Sequence, residues 1–176
     1  MANREALREL QTRLASRLQA ARTEGMSVAW LALRVGGKNL LFPLGQSGEI
    51  FPLTSLQPVP YSRAWFRGVL NIRGGLYGVV DLAAFLAEDC GGARLEPPAQ
   101  DPTVVTLNIA LEVNCALQVD GLLGLRGTDG FASSSPPDPT SPPYFGNQFL
   151  DTAGERWQEI DLRILSQTPQ FLSISA

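Results

Sequence analysis

The sequence predicts a mainly β protein built from small barrels or a sandwich. Two observations carry that prediction. Apolar runs are short and recur along most of the chain, and the 17 glycines and 13 prolines punctuate them. Helical periodicity is confined to the N-terminus and two brief later stretches. The number of short strands suits two small barrels better than one. At 176 residues there is room for one domain, or for two subdomains sharing a core. A chain of this length buries roughly 70% of its unfolded surface, so it needs no disulfides or metal to hold it.

The elements follow in order. Residues 1–25 read as an amphipathic helix, periodic from Arg4 to about Glu24. Leu7, Leu10, Leu14 and Leu18 line one face, charged residues cover the other, and Gly25 is a natural stop. Glu9 and Arg13 form an i,i+4 pair worth only ~0.2–0.5 kcal/mol. The leucine stripe packs either on its own domain or on a second chain. Residues 26–176 read as the β body. VAWLALRV, Val28 to Val35, ends at Gly36-Gly37, a hairpin turn, and Asn39 to Leu44 returns from it. Glu49 to Leu53 is a third strand. Trp65 to Arg73 and Leu76 to Asp81 are a fourth and fifth, followed by a helical turn over Leu82 to Ala87.

A Gly/Pro-rich connection spans Glu88 to Pro102. Strands resume at Thr103 to Leu111, Asn114 to Val119 and Leu122 to Leu125. Alternation in the second of these sends Cys115, Leu117 and Val119 inward and Gln118 outward. Gly127 to Pro143 holds five prolines and four serines in 17 residues, and is expected to be a mobile surface loop. Tyr144 to Leu150 and Glu155 to Gln158 form a last hairpin. Ile160 to Gln167 is helical, and Phe171 to Ile174 packs back.

Composition excludes several function classes. Histidine is absent, so there is no imidazole base, no histidine metal ligand and no phosphoryl-accepting histidine. No phosphate-binding loop or dinucleotide fingerprint occurs. A net charge of −3 argues against a nucleic-acid binder. Trp30, Trp65 and Trp157 therefore read as packing rather than as a base-stacking platform. Cys90 and Cys115 read as free thiols, the second buried. No metal or cofactor is expected. No apolar run reaches the ~20 residues of a membrane span, and the first residues are charged rather than signal-like. The expectation is a cytoplasmic protein that meets a membrane only through a partner.

The most informative stretch is GVLNIRGGLYGVVDL, Gly68 to Leu82: strand, tight glycine turn, strand, with Arg73 beside the turn. Gly68 and Gly74 should matter through backbone geometry, with positive φ or a close backbone approach. Asn71 should cap the turn through its side chain. Arg73 can present a planar, multi-donor head to carboxylates or carbonyls.

Gly68, Asn71, Arg73, Gly74, Val79, Asp81 and Leu82 fall on the signature G-x-x-N-x-R-G followed by V-x-D-L. In this the chain resembles the CheW-like adaptor domain, with Gly78 where that family usually has proline. The C-terminal pattern of aromatic strand, polar turn, tryptophan strand and I-D-L resembles the PilI-like, twitching-motility branch. The resemblance implies two side-by-side SH3-like five-stranded β-barrels, with an N-terminal helix and a short C-terminal helix. It implies an adaptor without enzymatic activity. Such an adaptor would couple a chemoreceptor's cytoplasmic tip to the regulatory domain of a CheA-type histidine kinase. It pairs Glu49, twenty-four residues earlier, with Arg73, and makes Glu49, Gly68, Asn71, Arg73 and Gly74 partner-binding. It adds Val119 and Asp120, near a groove between the barrels. An adaptor that has lost one partner surface stays open. An enzyme using Asp81, Asp120 or Glu49, and a small-barrel nucleic-acid binder, are weaker alternatives.

Overall fold

The computed structural model of the protein describes residues 2–24 and 28–176. Gly25, Met26 and the side chain of Leu7 fall outside what is described. Helix α1 runs Ala2–Glu24. Strands β1 (Val28–Val35), β2 (Lys38–Pro43), β3 (Ser47–Pro52), β4 (Phe66–Ile72) and β5 (Gly75–Asp81) follow, then α2 (Leu82–Cys90). Next come β6 (Thr103–Leu107), β7 (Cys115–Val119), β8 (Gly121–Gly127) and β9 (Phe131–Ser135). The chain closes with β10 (Phe145–Asp151), β11 (Arg156–Ile160), α3 (Leu162–Gln167) and α4 (Pro169–Leu172).

Two sheets form. One has five strands in the order β3-β6-β7-β5-β4, and the other has six in the order β8-β1-β2-β11-β10-β9. The five-stranded sheet closes on itself. Past Pro52 the chain swings to the far edge, where Gln57 N donates to Val69 O at 2.9 Å and Val69 N to Gln57 O at 2.8 Å. The edges of the six-stranded sheet, β8 and β9, are joined by the single 3-10 turn Thr128–Gly130. So short a link makes that sheet curl until its edges approach. The chain starts in the six-stranded sheet, leaves for all five strands of the other, and returns.

Successive residues of a strand face opposite ways, and here each side meets its own apolar cluster. Leu31, Leu33 and Val35 of β1 enter a large shared core, while Trp30 and Ala32 enter a second cluster with Leu41 and Trp157. On the other sheet, Val80, Val105 and Leu117 join the shared core, while Val79, Val104 and Ala116 meet Leu70 in a third cluster. This double coverage explains the near-continuous apolar runs. It also corrects one expectation: Gln118 does not face out. β7 is central, all five of its residues are buried, and Gln118 is buried with them.

Other expectations need adjustment. Strand β6 ends at Leu107, and Ile109–Leu111 form a 3-10 turn capped by Asn108, whose Oδ1 accepts from Ala110 N at 2.9 Å. The expected loop 127–143 contains β9. Phe131 anchors that strand, its ring 5.7 Å from Trp30 and 4.9 Å from Phe149. Ser133, Ser134 and Ser135 pair with β10 across from Leu150, Phe149 and Gln148. Only the Pro-rich remainder is irregular. Helix α2 extends three residues beyond Ala87, ending at Gly91 in the left-handed conformation.

Candidate partner-binding site

The hairpin between β4 and β5 turns on two residues, Arg73 (φ +49) and Gly74 (φ +81). Positive φ at both positions is the type I′ geometry that matches strand twist. Gly74 meets it without strain. Arg73 does not, and is held there by its surroundings. Asn71 Oδ1 accepts from Gly74 N at 3.1 Å and supplies the expected cap.

The turn sets Arg73 beside Glu49. Arg73 Nη1 donates to Glu49 Oε1 at 2.8 Å and also lies 2.8 Å from Oε2. Its guanidinium carbon stands 5.5 Å from the ring centre of Phe51. Thr106 fixes the strand beneath: Glu49 N donates to Thr106 Oγ1 at 2.8 Å. The pair is open to solvent, with side chains 71% and 53% exposed. Such an ion pair adds little stability, and the guanidinium beyond Nη1 is open to a partner. Leu76, two residues past the turn, is exposed as well. Glu49, Asn71, Arg73 and Gly74 thus come together at one tip.

The other expected residues sit elsewhere. Gly68 (φ +131) lies where an added Cβ would collide with the carbonyl of Gln57. It therefore permits the closure of the five-stranded sheet. Gly78 is constrained differently, through its amide and a neighbouring ring. Its N–H donates to Asn114 O at 3.0 Å, and an added Cβ would stand only 3.1 Å from the edge of the Phe66 ring. A proline there would have no N–H for this bond.

Val119 is core, 1% exposed. Asp120 is consumed internally: it accepts from Gly36 N at 2.6 Å and from Ala99 N at 3.4 Å, and it binds Arg94 Nη2. Arg94 reaches on to Asp81 at 3.4 Å. Asp81 also caps α2, accepting from Ala84 N at 3.1 Å. Sequence reading missed Arg94. The signal was a lone arginine in a Gly/Pro-rich connection. This cluster fastens the 91–102 connection to the β1–β2 turn and the β7–β8 corner.

Asp81 and Asp120 meet at Arg94, whereas Glu49 pairs with Arg73. An open depression of about 750 Å³ lies elsewhere, bordered by Asp89, Cys90, the 140–143 segment and α3–α4. At its margin Tyr144 donates to Asp89 Oδ2 at 2.6 Å. Burial, then this bond, raises the phenol's pKa and keeps it protonated. Among the described residues no group of three or more His, Cys, Asp or Glu could hold a metal ion. No described helix is long and apolar enough to cross a membrane.

Known proteins share this architecture. The scaffolding protein TtCheW of Thermoanaerobacter tengcongensis superposes with a TM-score of 0.64 over 82% of this chain and 96% of its own, at 16% identity, so the fold is common to both. Protein PilI of Pseudomonas aeruginosa is 31% identical over 127 residues, which are 71% of this chain and 68% of PilI. The CheW-like domain matches residues 29–168, from the first strand to the end of α3. With a double-sheet fold, a signature hairpin and that match over most of its length, the chain belongs to the CheW-like domain family.

Proposed function

We propose that this protein is a non-catalytic adaptor in a chemosensory pathway. It holds a receptor's cytoplasmic tip and the regulatory domain of a CheA-type histidine kinase together, at high effective concentration and in fixed orientation. The likeness to PilI favours a pathway controlling twitching motility by type IV pili, with the adaptor in the cytoplasm. Glu49, Asn71, Arg73 and Gly74 form the receptor-facing site. The edge of one barrel meets the kinase's own CheW-like domain. The observation that carries this reading is the exposed Glu49–Arg73 pair on a strained I′ turn. It adds little stability and offers unused donors outward.

The test is a pull-down with the cognate kinase regulatory domain and with a receptor helical hairpin. The wild-type chain should form stoichiometric complexes with both. Arg73→Glu should weaken receptor binding by about tenfold or more, as loss of a charge-assisted contact would. It should leave kinase binding and the folding midpoint nearly unchanged, because the side chain is exposed. Receptor binding that survives Arg73→Glu in a folded protein would remove this site from the interface. Failure to capture the kinase domain under native conditions would count against the adaptor role.

A further inference from the structure

Helix α1 lies across the seam between the two sheets, against β3 of one and β8 of the other. Leu14 and Leu18 are 7% and 4% exposed and join the shared core. Gln11 Nε2 donates to Thr103 Oγ1, at the start of β6, at 3.0 Å. Leu10 is half exposed, and most of the described helix surface faces solvent. A helix embedded in a globular core usually presents three to four apolar residues per two turns. Among the described side chains of α1, two leucines enter the core. Every strand is tied in by a backbone ladder, whereas α1 docks through side chains. Residues 2–24 carry five arginines against three glutamates in a chain that is net negative, so a basic helix rests on a more acidic body.

We propose that the β3–β8 seam is a helix-accepting surface that α1 fills in the isolated chain. A partner's basic amphipathic helix, with leucines four residues apart, takes its place on binding. The partner's identity as a receptor tip rests on the adaptor reading; the capacity of the seam to take a helix does not. β3 also carries Glu49, so α1 and the Arg73 tip share one strand.

The experiment uses the full chain. A labelled peptide of residues 2–24 is titrated into the wild type and into Leu14→Asp/Leu18→Asp, in which α1 is released. The folded variant should bind the peptide about tenfold or more tightly than the wild type, because its seam is no longer occupied. A peptide carrying the same two substitutions should not bind. Equal binding by both proteins, or no binding to a variant whose tryptophan near-UV spectrum is native, would overturn the proposal.

A second measurement needs no substitution. With excess peptide added to the wild type, hydrogen exchange of the chain's own α1 amides should quicken while β3 and β8 stay protected. Unchanged α1 exchange at saturating peptide would also overturn it. So would a dimer that exchanges α1 between copies, since the seam would then be filled in trans. A receptor helical hairpin replaces the peptide last. If the peptide displaces α1 and the hairpin does not, the seam stands and the receptor reading falls.

Discussion

At the scale of single residues, backbone demands explain more than side-chain chemistry. Gly68 is required because the Gln57 carbonyl passes where a side chain would begin, and Arg73 adopts a left-handed conformation that its neighbours impose. Gly78 shows how one position can depart from a family habit. Its amide bonds Asn114 O, and Phe66 occupies the adjoining space. Gly78→Pro, which restores the usual family residue, should therefore destabilise this protein by about 1–3 kcal/mol. Urea unfolding measures it, and a raised midpoint would show that neither contact matters. The pairing of Glu49 with Arg73 was legible from the signature, and Asn71 and Gly74 from turn chemistry. The placement of Val119 and Asp120 was not. A V-D-G sequence looks the same whether its carboxylate faces a partner or binds an arginine twenty-six residues earlier, and only the folded loop brings Arg94 to it.

At the scale of elements, strands and hairpins could be read because turn residues mark them. β9 could not. Its four residues after Phe131 are small or polar and exposed, as befits an edge strand, so no alternation survives in the sequence. Its pairing depends on Phe131 finding Trp30 and Phe149, a contact between distant segments. The β10–β11 hairpin makes its own prediction. Asp151 accepts from Trp157 Nε1 at 3.0 Å and from the amides of Ala153 and Glu155 at 2.9 Å. These bonds, that from Trp157 foremost, hold its carboxyl below the usual carboxylate range. A lowered pKa in the folded state means the stabilisation is complete above the ordinary carboxylate value near 3.9 and is lost as pH falls through the lower folded value. Asp151→Asn should lower stability at pH 7 and flatten its acid dependence. Denaturant melts from pH 7 to pH 2 compare the two, and parallel curves would show that this carboxylate is not the source.

At the scale of the whole molecule, the sheets cannot be separated by cutting the chain once. β1 and β2 belong to the same sheet as β8 to β11, with all of the other sheet between them. The shared core draws Leu31, Phe42 and Ile160 from one sheet and Val80, Leu107 and Leu117 from the other. Two lobes joined in this way should unfold as one unit. Thermal transitions followed by tryptophan fluorescence and by far-UV circular dichroism should coincide. Two resolved steps would mean that each sheet stands alone. The sequence allowed twin barrels by strand count, but not which strands would share a sheet, because β2–β11 and β5–β7 are parallel pairings made through long connections.

The chain's two cysteines turn this cooperativity into something that can be timed. Cys90 is exposed, whereas burial pushes the Cys115 thiol up to about 12. Alkylating reagents attack the thiolate, so the first sulfur should be consumed within a brief pulse at neutral pH. The second should react only in molecules whose β7 has come loose. In a Cys90→Ser background the slow modification of Cys115, read by mass, becomes a stopwatch for rare excursions of the native protein. A receptor or kinase domain that grips the folded form should slow it.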